Sequence, residues 1–465
     1  MNRIFIACLL LVTSQSGLAQ FSQSQLDAAN NLIDQAMKSD LAFKIVESLT
    51  TEVGPRMAGS EAEVRARTWA VALGNSLSFD TVELQPFTMP YWHRGEMTIA
   101  MSKPYEQDLY GTALGGSGAS TDKVSAPVVY FRDVQSIAEV KEGELVGKIA
   151  FVDGELLVPS QTGQGYSPAN QKRRVGWQHA ERGGALGLVI RSVGSDSRRF
   201  PHTGMMSAKE EQWASIPVIA VSNPDADHVR RLHELGETLR FEINSTAAWK
   251  GQVESGNVVF ELKGSEKPEE IVLIGAHLDS WDLGTGALDD GAGVGITTAA
   301  AELIAALPKR PKRTIRVVLF GAEEVGLLGA FAYAKQNKTE LSKIVVATES
   351  DFGARAIWRL QSYVNPNANS VIDAVARVLQ PIGIVRGASD ARGGGPDIIP
   401  LAAAGVPTIR LDQNGMDYFD IHHTPDDTLD KIDPTELKQN VAAWAAAIYL
   451  LADSNSPDSR FYAWR

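Results

Sequence analysis

The chain is predicted to adopt an α/β fold, in which a mostly parallel central sheet carries helices on both faces and a β-rich module is inserted. Apolar runs as long as a buried strand, among them IVLIGAHLD, TIRVVLF and KIVVATE, are each followed by a segment with helical periodicity. Between residues 124 and 244 the pattern changes to short strand-like runs separated by glycine-containing loops. The 465 residues exceed what one hydrophobic core usually supports, so at least two domains are expected.

The first 19 residues have the plan of a secretory signal peptide. Arg3 precedes the apolar run Ile4–Val12, and a polar stretch then closes with the small residues Gly17 and Ala19. The run is shorter than the roughly 20 apolar residues that span a bilayer, so cleavage after Ala19 is favoured over a membrane anchor. The only cysteine, Cys8, lies in this segment. We therefore expect a soluble, secreted or periplasmic mature chain without disulfides or thiolate metal ligands.

The balance of charges is acidic. The chain has 56 Asp and Glu residues against 44 Lys and Arg residues, a formal net charge of −12. A polyanionic partner such as nucleic acid would be repelled, so nucleic-acid binding is not expected. No segment after the signal peptide is long and apolar enough to predict a membrane span.

A catalytic domain is predicted from two parts of the chain, residues 20–123 and 249–465, and an inserted domain from residues 124–248 between them. In the first part, Ser60 and Glu63 fit a capping box at the start of an amphipathic helix. Four histidines of the inserted domain lack the spacing of metal ligands and are interpreted as surface or structural residues: His179, His202, His228 and His233. Such a domain is expected to shape access to a site or to form a homodimer.

From Gly256 onward the pattern repeats strand, loop and helix. Helices are predicted over Gly291–Leu307, Leu327–Gln336 and Pro434–Leu451, and a further strand over Pro407–Leu411. Strands that are apolar throughout, each followed by a helix, favour a parallel sheet that is buried on both faces. The ligand site of such a sheet lies beyond the carboxyl ends of its strands.

Ionisable residues collect at this predicted edge of the sheet. His277 and Asp279 end the first strand, Glu323 and Glu324 the second, and Asp351 the third. The other candidates lie in two loops, one rich in glycine and one after Tyr418: Asp289, Asp290, His422 and His423. These residues come from separate parts of the chain but are all predicted to lie at one edge of the sheet, which indicates a shared site.

Imidazole and carboxylate groups suit zinc, and a two-metal hydrolytic site uses one carboxylate to bridge ions about 3.5–4 Å apart. Asp289 is short and flanked by glycine-rich sequence, which suits the bridging position. Asp279 is placed to accept the second imidazole N–H of His277 and so to fix its tautomer. Glu323 and Glu324 are adjacent and diverge, so one can bind metal while the other faces a water molecule.

Each candidate taken alone also has a structural interpretation. Paired glutamates usually form only a charged surface, and an Asp at a strand–helix junction is often a helix N-cap, which applies to Asp289, Asp290 and Asp351. Only their convergence favours a metal site. The H-E-x-x-H zinc helix, the G-x-S-x-G elbow and the phosphate-binding P-loop are absent from the sequence, which removes the main competing hydrolase signatures.

The segments AHLDSWDLGTGALDDGAG, FGAEEVGLLGA, TESDFGA and IHHTPDDTL resemble, in order, the motifs of the co-catalytic zinc aminopeptidase and glutamate carboxypeptidase family. They cover most of Asn257–Asp433, and VGPRMAGS resembles the N-terminal stretch of that family. The inserted region resembles a protease-associated domain. The resemblance implies the zinc exopeptidase fold, with the inserted domain beside it.

The resemblance further implies two zinc ions per chain as cofactors. His277 and Asp351 would bind one ion. Glu324 and His423 would bind the other, and Asp289 would bridge the two.

By the same resemblance, Glu323 would be the general base that takes a proton as zinc-bound hydroxide attacks the scissile carbonyl. His423 is the implied ligand because the histidine of the family stands four residues before the Asp of an Asp-Thr pair, here Asp427. In the glutamate carboxypeptidases a tyrosine that can stabilise the oxyanion precedes this histidine. His422 stands there in this chain, as an oxyanion candidate or a packing residue.

The predicted function is hydrolysis of short peptides by an aminopeptidase or dipeptidase. Acidic residues outnumber basic ones around the predicted specificity pocket, which suits a substrate α-amine: Asp390, Asp397, Asp412, Asp417 and Asp420 against Arg386, Arg392 and Arg410. Three alternatives stay open at this point. They are a carboxypeptidase of the same family, an acyltransferase similar to the one-zinc glutaminyl cyclases, and a non-catalytic binding protein.

Overall fold

A computed structural model describes residues 20–120, 122–207 and 213–455. The predicted signal peptide, residues 1–19, lies outside the described residues. Within the described ranges the chain forms two eight-stranded sheets with helices packed against them. No helix in these ranges is long and apolar enough to cross a membrane.

The helices of the described residues are α1 (Gln23–Ala36), α2 (Leu41–Ser48), α3 (Glu61–Ser76), α4 (Val134–Ala138), α5 (Tyr166–Ala169), α6 (Gln171–Arg182), α7 (Asn223–Glu234), α8 (Ala292–Ala305), α9 (Leu328–Gln336), α10 (Asn369–Leu379), α11 (Ile399–Ala403), α12 (Tyr418–Ile421) and α13 (Pro434–Asp453). The strands are β1 (Thr81–His93), β2 (Met97–Lys103), β3 (Gln107–Asp108), β4 (Gly111–Ala113), β5 (Val124–Phe131), β6 (Ile149–Val152), β7 (Gly187–Arg191), β8 (Val218–Val221), β9 (Arg240–Ser245), β10 (Ala248–Leu262), β11 (Lys267–His277), β12 (Arg313–Phe320), β13 (Ile344–Glu349), β14 (Ile357–Tyr363), β15 (Val385–Arg386) and β16 (Thr408–Gln413).

The first sheet has the order β1-β10-β12-β11-β13-β16-β14-β15. Its four central strands, β12, β11, β13 and β16, run parallel to their neighbours in this set. Antiparallel pairing is confined to the flanks, where β10 meets β1 and β12, and β14 meets β16. The prediction of a mostly parallel centre is confirmed, and the carboxyl ends of the central strands meet at one edge.

Both faces of this sheet are covered by helices, as predicted. Alternate residues of a strand point to opposite faces. On β11, Val272 and Ile274 belong to the core cluster that contains α8 and α13, whereas Ile271 and Leu273 belong to the cluster with α9 and α11. A continuous apolar strand is therefore buried on both sides.

The predicted capping box at the start of α3 is only half present. Ser60 accepts a hydrogen bond from the backbone N–H of Glu63, 3.2 Å away. The Glu63 carboxylate does not return to the cap, because it is buried and engaged by Arg67 at 2.9 Å and by the Ser255 hydroxyl at 3.0 Å. Burial raises the pKa of Glu63 to about 7.

The second sheet has the order β3-β2-β9-β5-β6-β7-β8-β4, and its strands lie between Met97 and Ser245. β1 leads into this region and β10 leads out of it. The two strands pair from Thr81 opposite Glu261 to His93 opposite Ala248. β2, β3 and β4 precede residue 124, so the second sheet includes residues that the sequence prediction assigned to the catalytic domain.

Candidate metal centre

The candidate ligands converge where the parallel strands of the first sheet end. β11 ends at His277, β12 ends three residues before Glu323, and β13 ends two residues before Asp351. Asp289 follows β11 in a loop that leads into α8, and His423 follows α12. The structure therefore brings together these side chains from separate elements of the sheet edge.

The Asp289 carboxylate lies at the centre of the group. Its Oδ1 is 3.1 Å from His277 Nε2, which is also 3.5 Å from Asp351 Oδ1. Its Oδ2 is 3.5 Å from His423 Nε2, which is 2.9 Å from Glu324 Oε2. Each oxygen of Asp289 thus faces one imidazole–carboxylate pair.

This arrangement fits two metal ions. Ligand atoms 2.0–2.1 Å from a tetrahedral zinc ion are about 3.3 Å from one another, and the separations around Asp289 lie close to that value. Asp289 Oδ2 and Glu324 Oε1 are buried and have no hydrogen-bond partner among the described residues. Buried carboxylate oxygens without partners are costly unless a cation compensates them.

The partner of His277 differs from the one predicted. The Asp279 carboxylate Oδ1 lies 3.8 Å from His277 Nδ1, and the shorter contact, 3.0 Å, is to the backbone carbonyl of Asp279. The carboxylate instead accepts the backbone N–H groups of Glu323 at 3.0 Å and Glu324 at 3.3 Å. Asp279 therefore orients the imidazole through its backbone and the glutamate pair through its side chain.

Asp290 caps the start of α8, the structural role that its position before a helix suggested. Its carboxylate accepts the backbone N–H of His277 at 3.1 Å and that of Gly293, in the first turn of α8, at 2.9 Å. Asp427 acts similarly on the other side of the loop, where it accepts the N–H groups of Leu288 at 2.7 Å and Asp289 at 3.2 Å. Both sides of the Asp289 loop are thus held by buried carboxylates.

His422 and His423 stack with ring centroids 3.5 Å apart. The Nδ1–H of His423 donates to the carbonyl of Thr203 at 3.1 Å, which leaves Nε2 as the free lone pair directed at Glu324. His422 Nε2 lies 3.7 Å from Asp289 Oδ2, and its Nδ1 is buried without a partner among the described residues. The geometry favours His423 over His422 as the ligand that completes the second pair.

Burial dominates the electrostatics of the cluster. It raises the pKa of Glu323 and that of Glu324 well above their ordinary values, and neighbouring carboxylates add to the effect. It lowers the pKa of His423 well below its usual range, so the ring is neutral and able to bind metal. Burial alone would lower the pKa of His277, but hydrogen bonds to Asp289 and Asp351 outweigh it and raise that pKa.

The cluster forms one wall of a cavity of about 610 Å³. Residues 124–248 also line the cavity, among them Tyr166, Arg173, Arg174 and Met205. The cavity is therefore built by both parts of the chain.

Residues 257–448 match the model of peptidase family M28. Human carboxypeptidase Q is 33% identical to the chain over 431 residues, which cover 92% of this chain and 89% of the human one. This chain belongs to peptidase family M28. The resemblance noted from the motifs is confirmed, and the chain is an enzyme of the peptidase class.

Solved structures agree with this membership. The M28 peptidase precursor of Shewanella amazonensis SB2B is 46% identical, with a TM-score of 0.90 over 93% of this chain and 98% of that one. A zinc aminopeptidase from Bacillus subtilis, 21% identical, has a TM-score of 0.65 over 91% of this chain and 98% of that one, and it supports the fold alone. The predicted α/β zinc exopeptidase fold of this M28 peptidase is thus confirmed, and the inserted protease-associated domain stays a prediction.

The residues predicted to decide the peptide end do not line the cavity of the M28 peptidase. Most pair with groups elsewhere: Arg386 with Asp373, Arg410 and Arg359 with Asp412, Arg355 with Asp417, and the Ser195 hydroxyl with Asp420. Arg392 lies over the Tyr363 ring, and Asp397 is buried beside Glu349. The predicted surplus of acid is therefore not directed at the substrate.

Arg56 is a site residue that sequence reasoning missed, although it lies in the VGPRMAGS segment. Its guanidinium is fully buried and donates to the carbonyls of Leu278, Thr285 and Gly286 at 2.5, 2.6 and 2.9 Å. These carbonyls belong to the loop between His277 and Asp289. Arg56 also places a positive charge beside the carboxylates of the site.

We expect Arg56→Lys to destabilise the protein and to weaken metal binding. The lysine ammonium lacks the planar fork of the guanidinium, so we expect two of the three carbonyls to lose their donor, at about 1–3 kcal/mol each, or about 2–6 kcal/mol in total. Unfolding midpoints in denaturant, measured with and without added zinc, test this. Arg65→Lys, at an exposed position of α3 nearby in the sequence, is the control. Equal midpoints for the two variants would contradict the role of Arg56.

Proposed function

We propose that this M28 peptidase is a two-zinc exopeptidase that hydrolyses short peptides. The observation that carries the proposal is the Asp289 carboxylate, whose two oxygens face two imidazole–carboxylate pairs. His277 and Asp351 would hold one ion, and Glu324 and His423 the other. Zinc held by these residues would lower the pKa of a water molecule to near 7 and would polarise the scissile carbonyl.

Glu323 is the general base in this proposal. It lines the cavity beside Glu324, and the Asp279 carboxylate accepts its backbone N–H at 3.0 Å. It would take the proton of the attacking water and pass it to the leaving amine. Tyr418 and His422 line the same cavity and are candidates to donate to the oxyanion that develops on the carbonyl oxygen.

Glu323→Gln should lower kcat by about 10²- to 10⁴-fold, because the amide cannot accept the proton. Zinc content should be unchanged, since the proposed ligands are intact. Glu237→Gln, at an exposed position, should behave as wild type. A Glu323→Gln enzyme with near wild-type kcat would exclude Glu323 as the base.

The cavity suggests which peptides are cleaved. Among the described residues that line it, the cationic side chains are Arg173 and Arg174, and the acidic ones belong to the metal centre. Arg173 is buried and donates to the Thr203 carbonyl and the Tyr166 hydroxyl. Arg174 is exposed, and its guanidinium has no hydrogen bond or ion pair with the residues that the structure describes.

We infer that the substrate is a dipeptide with both termini free. Arg174 would pair with the free α-carboxylate, since guanidinium groups bind carboxylates in bidentate geometry. The acidic wall would accept the α-amine, and a cavity of about 610 Å³ suits a ligand of this size. Export of the chain and a homodimer stay predictions from the sequence.

One dipeptide offered in free, N-acetylated and C-amidated forms tests this specificity. Acetylation should abolish cleavage, and amidation should raise KM by about 10-fold or more, because one charged hydrogen-bonded pair is worth about 1.5–3 kcal/mol. Arg174→Ala should raise KM for the free dipeptide but not for its amide, and the exposed Arg231→Ala control should change neither. Cleavage of the acetylated form would make the enzyme a carboxypeptidase.

A further inference from the structure

Residues 202 and 203, in the region of the second sheet, are hydrogen-bonded directly to the loop that carries His423. The backbone N–H of Thr203 donates to the His423 carbonyl at 3.0 Å, and the Thr203 carbonyl accepts from His423 Nδ1 at 3.1 Å. One residue earlier in each segment, His202 Nδ1–H donates to the His422 carbonyl at 2.8 Å. Residues 202–203 thus hold both the backbone and the ring of the proposed zinc ligand.

His202 is itself held firmly. It is 1% exposed, and its Nε2 lies 2.5 Å from the carboxylate of Asp196, which is 5% exposed. Its backbone N–H donates to the Ser192 hydroxyl at 2.9 Å. Both ring nitrogens therefore face an oxygen acceptor, one of them a carbonyl of the His422–His423 loop. The sequence had suggested only a surface or structural histidine here.

The His202 ring packs so closely against Gly194 that only glycine fits at position 194. A Cβ atom on Gly194 would come within 2.1 Å of His202 Nε2. Any other residue at position 194 would push the ring out of place. On the far side of Thr203, Arg173 donates to the same carbonyl that receives His423 Nδ1–H, at 2.9 Å.

The conformation of His423 explains why it needs this support. Its φ is +61°, in the left-handed region that non-glycine residues rarely adopt. Such conformations persist only where the surrounding structure enforces them. The bonds from Thr203 and His202 act on the backbone on both sides of the His422–His423 peptide.

We propose that His202 and Asp196 are positioning residues for the second metal position, through Thr203 and the His422–His423 backbone. The proposal rests on the two-zinc function above. Removal of a group that orients a metal ligand typically costs 10- to 100-fold in metal affinity. The effect should be confined to the ion held by Glu324 and His423, because His277 and Asp351 lie on other elements.

Three variants of the full chain separate positioning from packing. His202→Phe retains a buried aromatic ring and loses both hydrogen bonds, and Gly194→Ala displaces the ring while it deletes no polar group. His202→Asn retains an N–H donor near the place of Nδ1. His228→Phe, a histidine of the same region bonded to Tyr105 rather than to the metal loop, is the matched control.

Zinc affinities from competitive chelator titration and the visible spectrum of the cobalt-substituted protein are the readouts. His202→Phe and Gly194→Ala should lower the affinity for one of the two ions about 10- to 100-fold and change the cobalt spectrum of that ion alone. His202→Asn should recover part of the loss, and His228→Phe should match wild type. Circular dichroism identifies any variant that fails to fold, and Gly194→Ala and His202→Asn then decide the outcome.

Unchanged affinity for both ions in Gly194→Ala and His202→Phe would overturn the proposal. An equal loss of affinity for both ions would also overturn it, since that result indicates a general loss of structure. Wild-type protein that binds fewer than two zinc ions would instead contradict the two-zinc function, and the two failures are thereby distinguished.

Discussion

The buried carboxylates around Asp289 impose the main physical constraint on this molecule. Burial raises the pKa of Glu323 and that of Glu324. The negatively charged carboxylates nearby raise both pKa values further, because they oppose a second negative charge. Such a group is stable in ionised form only beside compensating positive charge. Arg56 supplies one fixed charge, and two zinc ions would supply the rest. Much of the surrounding structure serves to hold these groups at metal-binding separations.

That structure comes from both sheets. Parallel strands of the first sheet deliver His277, Glu324 and Asp351 to a single edge, which is the usual place for a ligand site in such folds. The region of the second sheet provides part of the cavity lining and the carbonyl of Thr203 that holds His423. Its contribution therefore includes support of a proposed ligand as well as a boundary for the substrate.

The sequence was informative where the chemistry follows strand ends, because apolar runs and the residues after them are local features. It was less informative where partners are distant along the chain. Arg56 reaches carbonyls more than 200 positions away, and nothing local shows that His202 meets His422. The acids after residue 389 were misjudged for the same reason, since pairs such as Arg359 with Asp412 are visible only in three dimensions.

The central claim is that Asp289 is shared by two metal ions, and zinc content measured by mass spectrometry after zinc loading and dialysis tests it directly. Wild-type protein should retain two ions per chain, and His277→Gln and His423→Gln should each retain one. Asp289→Asn should lose both, because an amide has one ligand oxygen where the carboxylate has two, and it carries no negative charge. An Asp289→Asn variant that kept even one ion at wild-type affinity would contradict the account.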